Sequence, residues 1–314
     1  MSLLVKALAF VSRTAKKTGV WKGPDLTDLD KEITRARKYN REHPYKEPTD
    51  KKARYQTEWI GKYPCLLIRQ KENSSGKALL FLHGGGDSDT WSPELPFARN
   101  YGKHSNTDVV YPLYPPFTEA SPEEAAEFIL ETYRRTVKRY GKENVAVLGD
   151  SYGGLLALQL LTMINRNNRN SEQEQTGMPA LLLLNSPFAY PKSEEEWKCG
   201  EELEKEDAML PLGALRYMHG VTTKLYPDTP DYLLYPEDMD FRDAPETYVF
   251  YALEACYAAG GAISKSYERD GAKDRLHMHI EKGMIHCYAS APVFKESKRD
   301  FNQQITLLKE VGHV

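Results

Sequence analysis

Residues Gly149-Asp-Ser-Tyr-Gly-Gly154 place a serine between glycines, directly after the apolar run Val145-Ala-Val-Leu148. Directly after them comes a second apolar stretch, Leu155, Leu156, Ala157, Leu158, Leu160 and Leu161. The run reads as a strand and the stretch as a helix. A Gly-x-Ser-x-Gly between the two is the tight strand-to-helix turn that thrusts a serine outward at the top of a sheet. Gly149 and Gly153 belong in such a turn because neighbouring chain passes close to it and a Cβ would collide. The flanks carry the signal, since the bare pattern also fits a surface turn.

The alternation continues along the chain. Strand candidates lie at 63–69, 78–82, 108–113, 181–184, 248–251 and 276–280. Ser121-Pro-Glu-Glu124 opens a helix with an N-cap serine, a proline in the first turn and a capping-box glutamate. Ala125, Ile129, Tyr133 and Val137 give that helix an apolar stripe, and Gly141 ends it. Residues 305–311 belong to a closing helix. Strands alternating with helices predict right-handed crossovers and a mostly parallel sheet, the α/β class. Residues 1–58 read as helical, charged and punctuated by proline, and 190–245 break the alternation with a charged segment followed by an aromatic, proline-rich one.

A second motif bears on chemistry. His83-Gly84-Gly85-Gly86 follows the strand Ala78-Leu-Leu-Phe-Leu82. Three glycines let a loop approach a substrate carbonyl and aim backbone N–H groups at a developing oxyanion. The donors expected are Gly84 and Gly85, with Tyr152 after the serine; His83 anchors the loop. No Gly-Lys-Ser/Thr or Gly-x-Gly-x-x-Gly accompanies the glycines, which disfavours phosphate binding. A serine needs a base, and His286, in a loop after Gly283 near the C-terminus, is the best placed of eight histidines. His277 and His279 share one strand face, but with no third ligand nearby they read as solvent-facing or packed side chains.

Together, His83-Gly-Gly-Gly86, Gly149-Asp-Ser-Tyr-Gly-Gly154 and Gly283-Met-Ile-His286 resemble the hormone-sensitive-lipase-like branch of the α/β-hydrolases, which includes bacterial acetyl esterases, over residues 60–312. The resemblance implies an α/β-hydrolase fold with a mostly parallel eight-stranded sheet flanked by helices and a helical cap. On it, residues 1–58 are N-terminal cap helices, 59–189 and 246–314 the core, and 190–245 a second cap insertion. The family has alanine where this chain has Tyr152. A phenol ring there bears on the shape or hydrogen bonding of the pocket and leaves the donated N–H unchanged. A larger departure concerns the acid: the family's aspartate falls on Cys256, and a thiol does not hold the imidazole tautomer as a buried carboxylate does. Glu254 is the nearest carboxylate, at the end of strand 248–251; Asp270, Asp274 or no acid at all remain open alternatives.

The expected activity is therefore that of a serine carboxylester hydrolase, with Ser151, His286 and Glu254 as triad, acting on small-molecule short-acyl esters. An aromatic lid containing Trp21, Trp59, Trp197, Tyr217, Tyr226, Tyr232 and Tyr235 would restrict the acyl chain. The alternatives are an amide hydrolase of arylformamidase or peptidase type, and a degenerate hydrolase serving as a small-molecule receptor. No cofactor or metal is required. A formal net charge of −3 over 314 residues offers no basic field for nucleic acid. Cys65, Cys199, Cys256 and Cys287 lack paired metal spacing and read as reduced thiols, with Cys287 packing beside His286. No apolar run reaches the ~18 residues of a membrane span. At the N-terminus, Leu4, Leu8 and Val11 follow an amphipathic helical period, and Lys6 argues against a signal peptide. A cytoplasmic location is expected, and a homo-oligomer stays open.

Overall fold

The computed structural model describes residues 24–69, 75–86, 94–170, 175–205 and 209–312. The amphipathic period read at residues 4–11 lies outside them. The described elements are helix α1 (Leu29–Glu42), strands β1 (Arg54–Ile60), β2 (Tyr63–Arg69) and β3 (Ala78–Leu82), helix α2 (Leu95–Ser105), strand β4 (Asp108–Pro112), and helix α3 (Pro122–Tyr140). There follow β5 (Val145–Asp150), α4 (Tyr152–Asn170), β6 (Leu181–Asn185), α5 (Glu194–Glu204), α6 (Leu212–Leu225), β7 (Thr247–Ala252), α7 (Gly260–Arg269), β8 (Leu276–Glu281) and α8 (Lys295–Glu310).

The strands form one eight-stranded sheet in the order β1-β2-β4-β3-β5-β6-β7-β8. Pairing is antiparallel from β1 to β2 and β2 to β4, and parallel from β4 onward. The central strands β3, β4, β5 and β6 are buried at every position and mostly apolar because both faces are covered. In β3, Leu80 and Leu82 face one core and Leu79 and Phe81 the other; in β5, Val145 and Val147 alternate with Ala146 and Leu148 in the same way. Helices α3, α4 and α6 bury their stripes in the first core, and α2 and α8 theirs in the second. The fold is that of an α/β hydrolase, as the motifs implied.

Local rules hold at α3 with one change. Ser121 Oγ accepts the Glu124 N–H at 3.2 Å, and Gly141 ends the helix at φ 81°. The Glu124 carboxylate, expected to close a capping box, instead takes the Tyr63 hydroxyl at 2.7 Å and the Lys62 ammonium at 2.8 Å. The helical reading of 1–58 overran into the sheet, since β1 begins at Arg54. Residues 190–245 hold α5 and α6 and no strand among the described residues.

Candidate active site

The turn after β5 is built by exclusion of side chains. A Cβ on Gly153 would lie 2.0 Å from the Leu82 carbonyl oxygen, and one on Gly149 would lie 2.5 Å from that of Gly153. Strand β3, the turn and helix α4 thus meet with no room between them. Ser151 sits at φ 51°, in the left-handed region that a non-glycine residue enters only when its surroundings hold it there. Here its N–H donates to Asn185 O at 2.9 Å, and its carbonyl accepts from Gly154 N and Phe188 N, each at 2.8 Å.

His286 reaches this serine from the loop after β8. Ser151 Oγ lies 2.8 Å from His286 Nε2, and His286 Nδ1 is hydrogen-bonded to Glu254 Oε2. A carboxylate acceptor at Nδ1 puts the proton there and leaves Nε2 to accept from the serine hydroxyl. Burial pulls the imidazole's pKa down, but the Glu254 carboxylate bonded to it outweighs that and raises it above the usual histidine value. Glu254 is itself buried at the end of β7 and accepts a second bond from Ser186 Oγ at 2.5 Å. Ser186 in turn accepts the Cys287 N–H at 2.9 Å. Ser186 and Cys287 share the positive φ of Ser151, at 44° and 54°. Three strained residues thus converge on one imidazole.

Of the open acids, Glu254 is the one at His286. Asp270 is engaged elsewhere, accepting from Phe241 N at 2.8 Å and pairing with Arg269. Asp274 lies in the turn Lys273–Arg275 before β8. Cys256 is fully buried, with its sulfur within 4.8 Å of ligand atoms of Glu254 and His286. His277 bonds Glu246 at 2.8 Å and stacks on Tyr248. His279 lies beside Glu281 and Asp300, with the Arg299 guanidinium donating to all three, so a cation's place there is already filled.

The glycine loop follows β3. His83 is buried, stacks on Tyr114 with ring centroids 4.3 Å apart, and bonds Gly84 O through Nδ1 at 2.8 Å. Burial lowers its pKa to about 4, so the ring is a neutral anchor. Gly85 and Gly86 take φ of 90° and 87°. A Cβ on Gly86 would strike the Tyr152 ring at 2.6 Å. The Tyr152 ring is therefore packed beneath the loop against Tyr114, Phe117 and Phe188 and does not line the cavity over Ser151, so it bears on the pocket's shape only through the loop and rings it supports. Its N–H opens α4, where no intrahelical acceptor exists. Gly84 departs from expectation: its N–H, read as an oxyanion donor, donates to Glu94 Oε2 at 2.8 Å. Neither Glu94 nor Ser186 was singled out in the sequence. Ser186 had a faint signal, in that the polar pair Asn185-Ser186 ends an otherwise apolar strand beside the elbow.

A cavity of about 960 Å³ opens over Ser151 and His286. Its walls are mainly apolar, with Phe97, Phe117, Phe188, Leu210, Tyr217 and Phe294 among them. Of the aromatics expected in a lid, Tyr217 lines it; Trp59 is 59% exposed on β1, and Trp197 and Tyr235 pack around His219. Trp21 lies outside the described residues. Among the described residues no helix is long and apolar enough to cross a membrane.

Residues 79–290 match the family described as alpha/beta hydrolase fold. No curated protein matches the chain in sequence. Solved structures similar to it include EstE5 soaked with p-nitrophenyl butyrate (TM-score 0.76, 18% identity, all of both chains covered). An esterase/lipase from an uncultured bacterium has a TM-score of 0.75 at 18% identity, again over all of both chains. An esterase of the bacterial hormone-sensitive lipase family has a TM-score of 0.74 at 18% identity over 99% of each.

Proposed function

Because the chain belongs to the α/β-hydrolase family, with the hormone-sensitive-lipase-like carboxylesterases as the branch its motifs resemble, we propose that it is a serine carboxylester hydrolase for short-acyl esters. The observation that carries this reading is the line of hydrogen bonds from Ser151 Oγ through both nitrogens of His286 to Glu254, at the base of an apolar cavity. In this reading His286 Nε2 takes the serine proton as Oγ attacks the ester carbonyl, and Glu254 steadies the imidazolium that forms. N–H groups of Gly85 and Tyr152 face the oxyanion. His286 then passes its proton to the departing alcohol, and water, deprotonated by the same nitrogen, cleaves the acyl-enzyme. An alkoxide needs less help in leaving than an amine, which favours esters over amides. The receptor alternative rests on Cys256 in the acid position, and a carboxylate at His286 Nδ1 favours the hydrolase reading over it.

The test uses p-nitrophenyl butyrate, the compound soaked into a similar structure, and a fluorophosphonate probe. Ser151→Ala is expected to abolish labelling and to cut turnover by about three orders of magnitude or more while leaving binding. Turnover unaltered by that substitution would refute the assignment.

A further inference from the structure

Glu94 stands inside the proposed site without a part in its mechanism. It immediately precedes α2, lines the same cavity as Ser151 and His286, and accepts the Gly84 N–H at 2.8 Å. A Cβ placed on Gly84 would lie 2.6 Å from Glu94 Oε1 and 3.1 Å from Ser151 Cβ, so the carboxyl and the serine side chain converge on one point. A tetrahedral intermediate puts its negative oxygen in that neighbourhood. An ionised carboxylate there would repel it, in a water-poor site where charges are weakly screened. An uncharged carboxylic acid does the opposite. Its carbonyl oxygen keeps the Gly84 N–H, and its hydroxyl is a hydrogen-bond donor for the developing charge.

Resting on the reading of Ser151 as nucleophile, we propose that Glu94 is a catalytic residue: a neutral carboxylic acid that donates to the substrate oxyanion, in place of the Gly84 N–H and beside those of Gly85 and Tyr152. The bond from Gly84 polarises the carboxyl and strengthens the donor. The surroundings favour the neutral form. Burial, and then the charge of Asp150, raise the carboxyl well above the usual range, while the Gly84 N–H and His286 pull the other way. The groups facing it are Asp150 at the end of β5, Tyr114 after β4, His286 and Cys287 after β8, and His83 beside Gly84. Burial holds Tyr114 and Cys287 in their uncharged forms and His83 neutral.

The test measures kcat and KM for p-nitrophenyl butyrate across pH in the unaltered protein, Glu94→Ala and Glu94→Gln, with Ser151→Ala as control. Glu94→Ala is expected to lower kcat by about 100-fold with KM changed by less than about threefold, as for loss of one oxyanion donor. Glu94→Gln, whose amide still donates, is expected to regain at least about tenfold of that loss. The unaltered protein should lose kcat at alkaline pH as Glu94 ionises, and Glu94→Gln should lack that limb. A kcat in Glu94→Ala equal to or above the unaltered value overturns the proposal, since the carboxyl would then merely block the site. So does a folded Glu94→Gln no better than Glu94→Ala, or an alkaline limb common to both proteins. Thermal melts report folding; where Glu94→Ala does not fold, Glu94→Gln and its pH profile decide. Absence of Ser151-dependent turnover in the unaltered protein marks failure of the nucleophile reading, and the proposal falls with it.

Discussion

In the proposed triad His286 serves Ser151 only in one tautomer and one orientation, and both are set by what Nδ1 finds. It finds Glu254, and Glu254 is fixed by Ser186, which also holds the backbone of Cys287 next to the imidazole. Glu254→Gln is therefore expected to keep the fold and lower kcat by on the order of 1,000-fold, because an amide neither stabilises imidazolium nor enforces the tautomer. The sign of the pH effect follows from the same bond. The carboxylate favours the charged ring, so its removal lowers the His286 pKa and moves the acid limb of kcat/KM to lower pH by roughly one to three units. A pH-rate profile of the two proteins checks both statements. At this scale the sequence carried Ser151 and His286 plainly, since each comes with glycines that announce a tight turn. Glu254 was legible only as the carboxylate nearest a strand end. Ser186 and Glu94 were hidden because what they touch depends on strand register and loop packing far away in the chain, which no local pattern encodes.

Elements position those residues through contacts that tolerate no extra atom. The elbow is wedged between the end of β3 and the start of α4, and Gly153 is the point of closest approach, with the Leu82 backbone 2.0 Å from any added Cβ. Backbone cannot swing aside as a side chain does. Gly153→Ala is expected to cost about 3 kcal/mol or more of stability and, in whatever fraction folds, to displace Ser151. Thermal unfolding and fluorophosphonate labelling read the two effects separately. Strands β3, β5 and β6 were legible because burial on both faces leaves an unbroken apolar run. Strand β1 was not. Its Arg54-Tyr-Gln-Thr-Glu-Trp-Ile60 lies at the sheet edge, exposed along much of its length, and so carries little apolar signal. The segment Ser193–Glu196 read as mere charge, yet it forms a complete capping box at the start of α5, a signal present in its Ser-x-x-Glu spacing.

Across the whole molecule, the carboxyl ends of β3, β5, β6 and β7 gather the glycine loop, Ser151, Ser186 and Glu254 along one end of the sheet, and the loop after β8 supplies His286. Over them the cavity walls include Arg35 of α1, Tyr217 of α6 and Phe294 just before α8. At about 960 Å³ it exceeds what an acetyl or butyryl group fills, and its apolar walls suit a bulky alcohol portion. With acyl length held at acetyl to butyryl, aryl esters are expected to show at least about tenfold higher kcat/KM than ethyl esters, a difference of about 1.4 kcal/mol. Kinetics over a grid of acyl and alcohol sizes check this, and faster cleavage of emulsified long-chain lipid than of acetyl esters would contradict it. The wide separation along the chain of the parts that meet at the site has a further consequence. Ser151 and His286 stand 135 positions apart, with three parallel strand pairings, β5 with β6, β6 with β7 and β7 with β8, to be made between them. Such non-local pairings form late and slowly. During synthesis and early folding the serine therefore has no base and is no more reactive than any other hydroxyl. The proposed reactive centre is born only when distant halves of the chain have closed on each other, so in that reading the first turnover marks the end of folding.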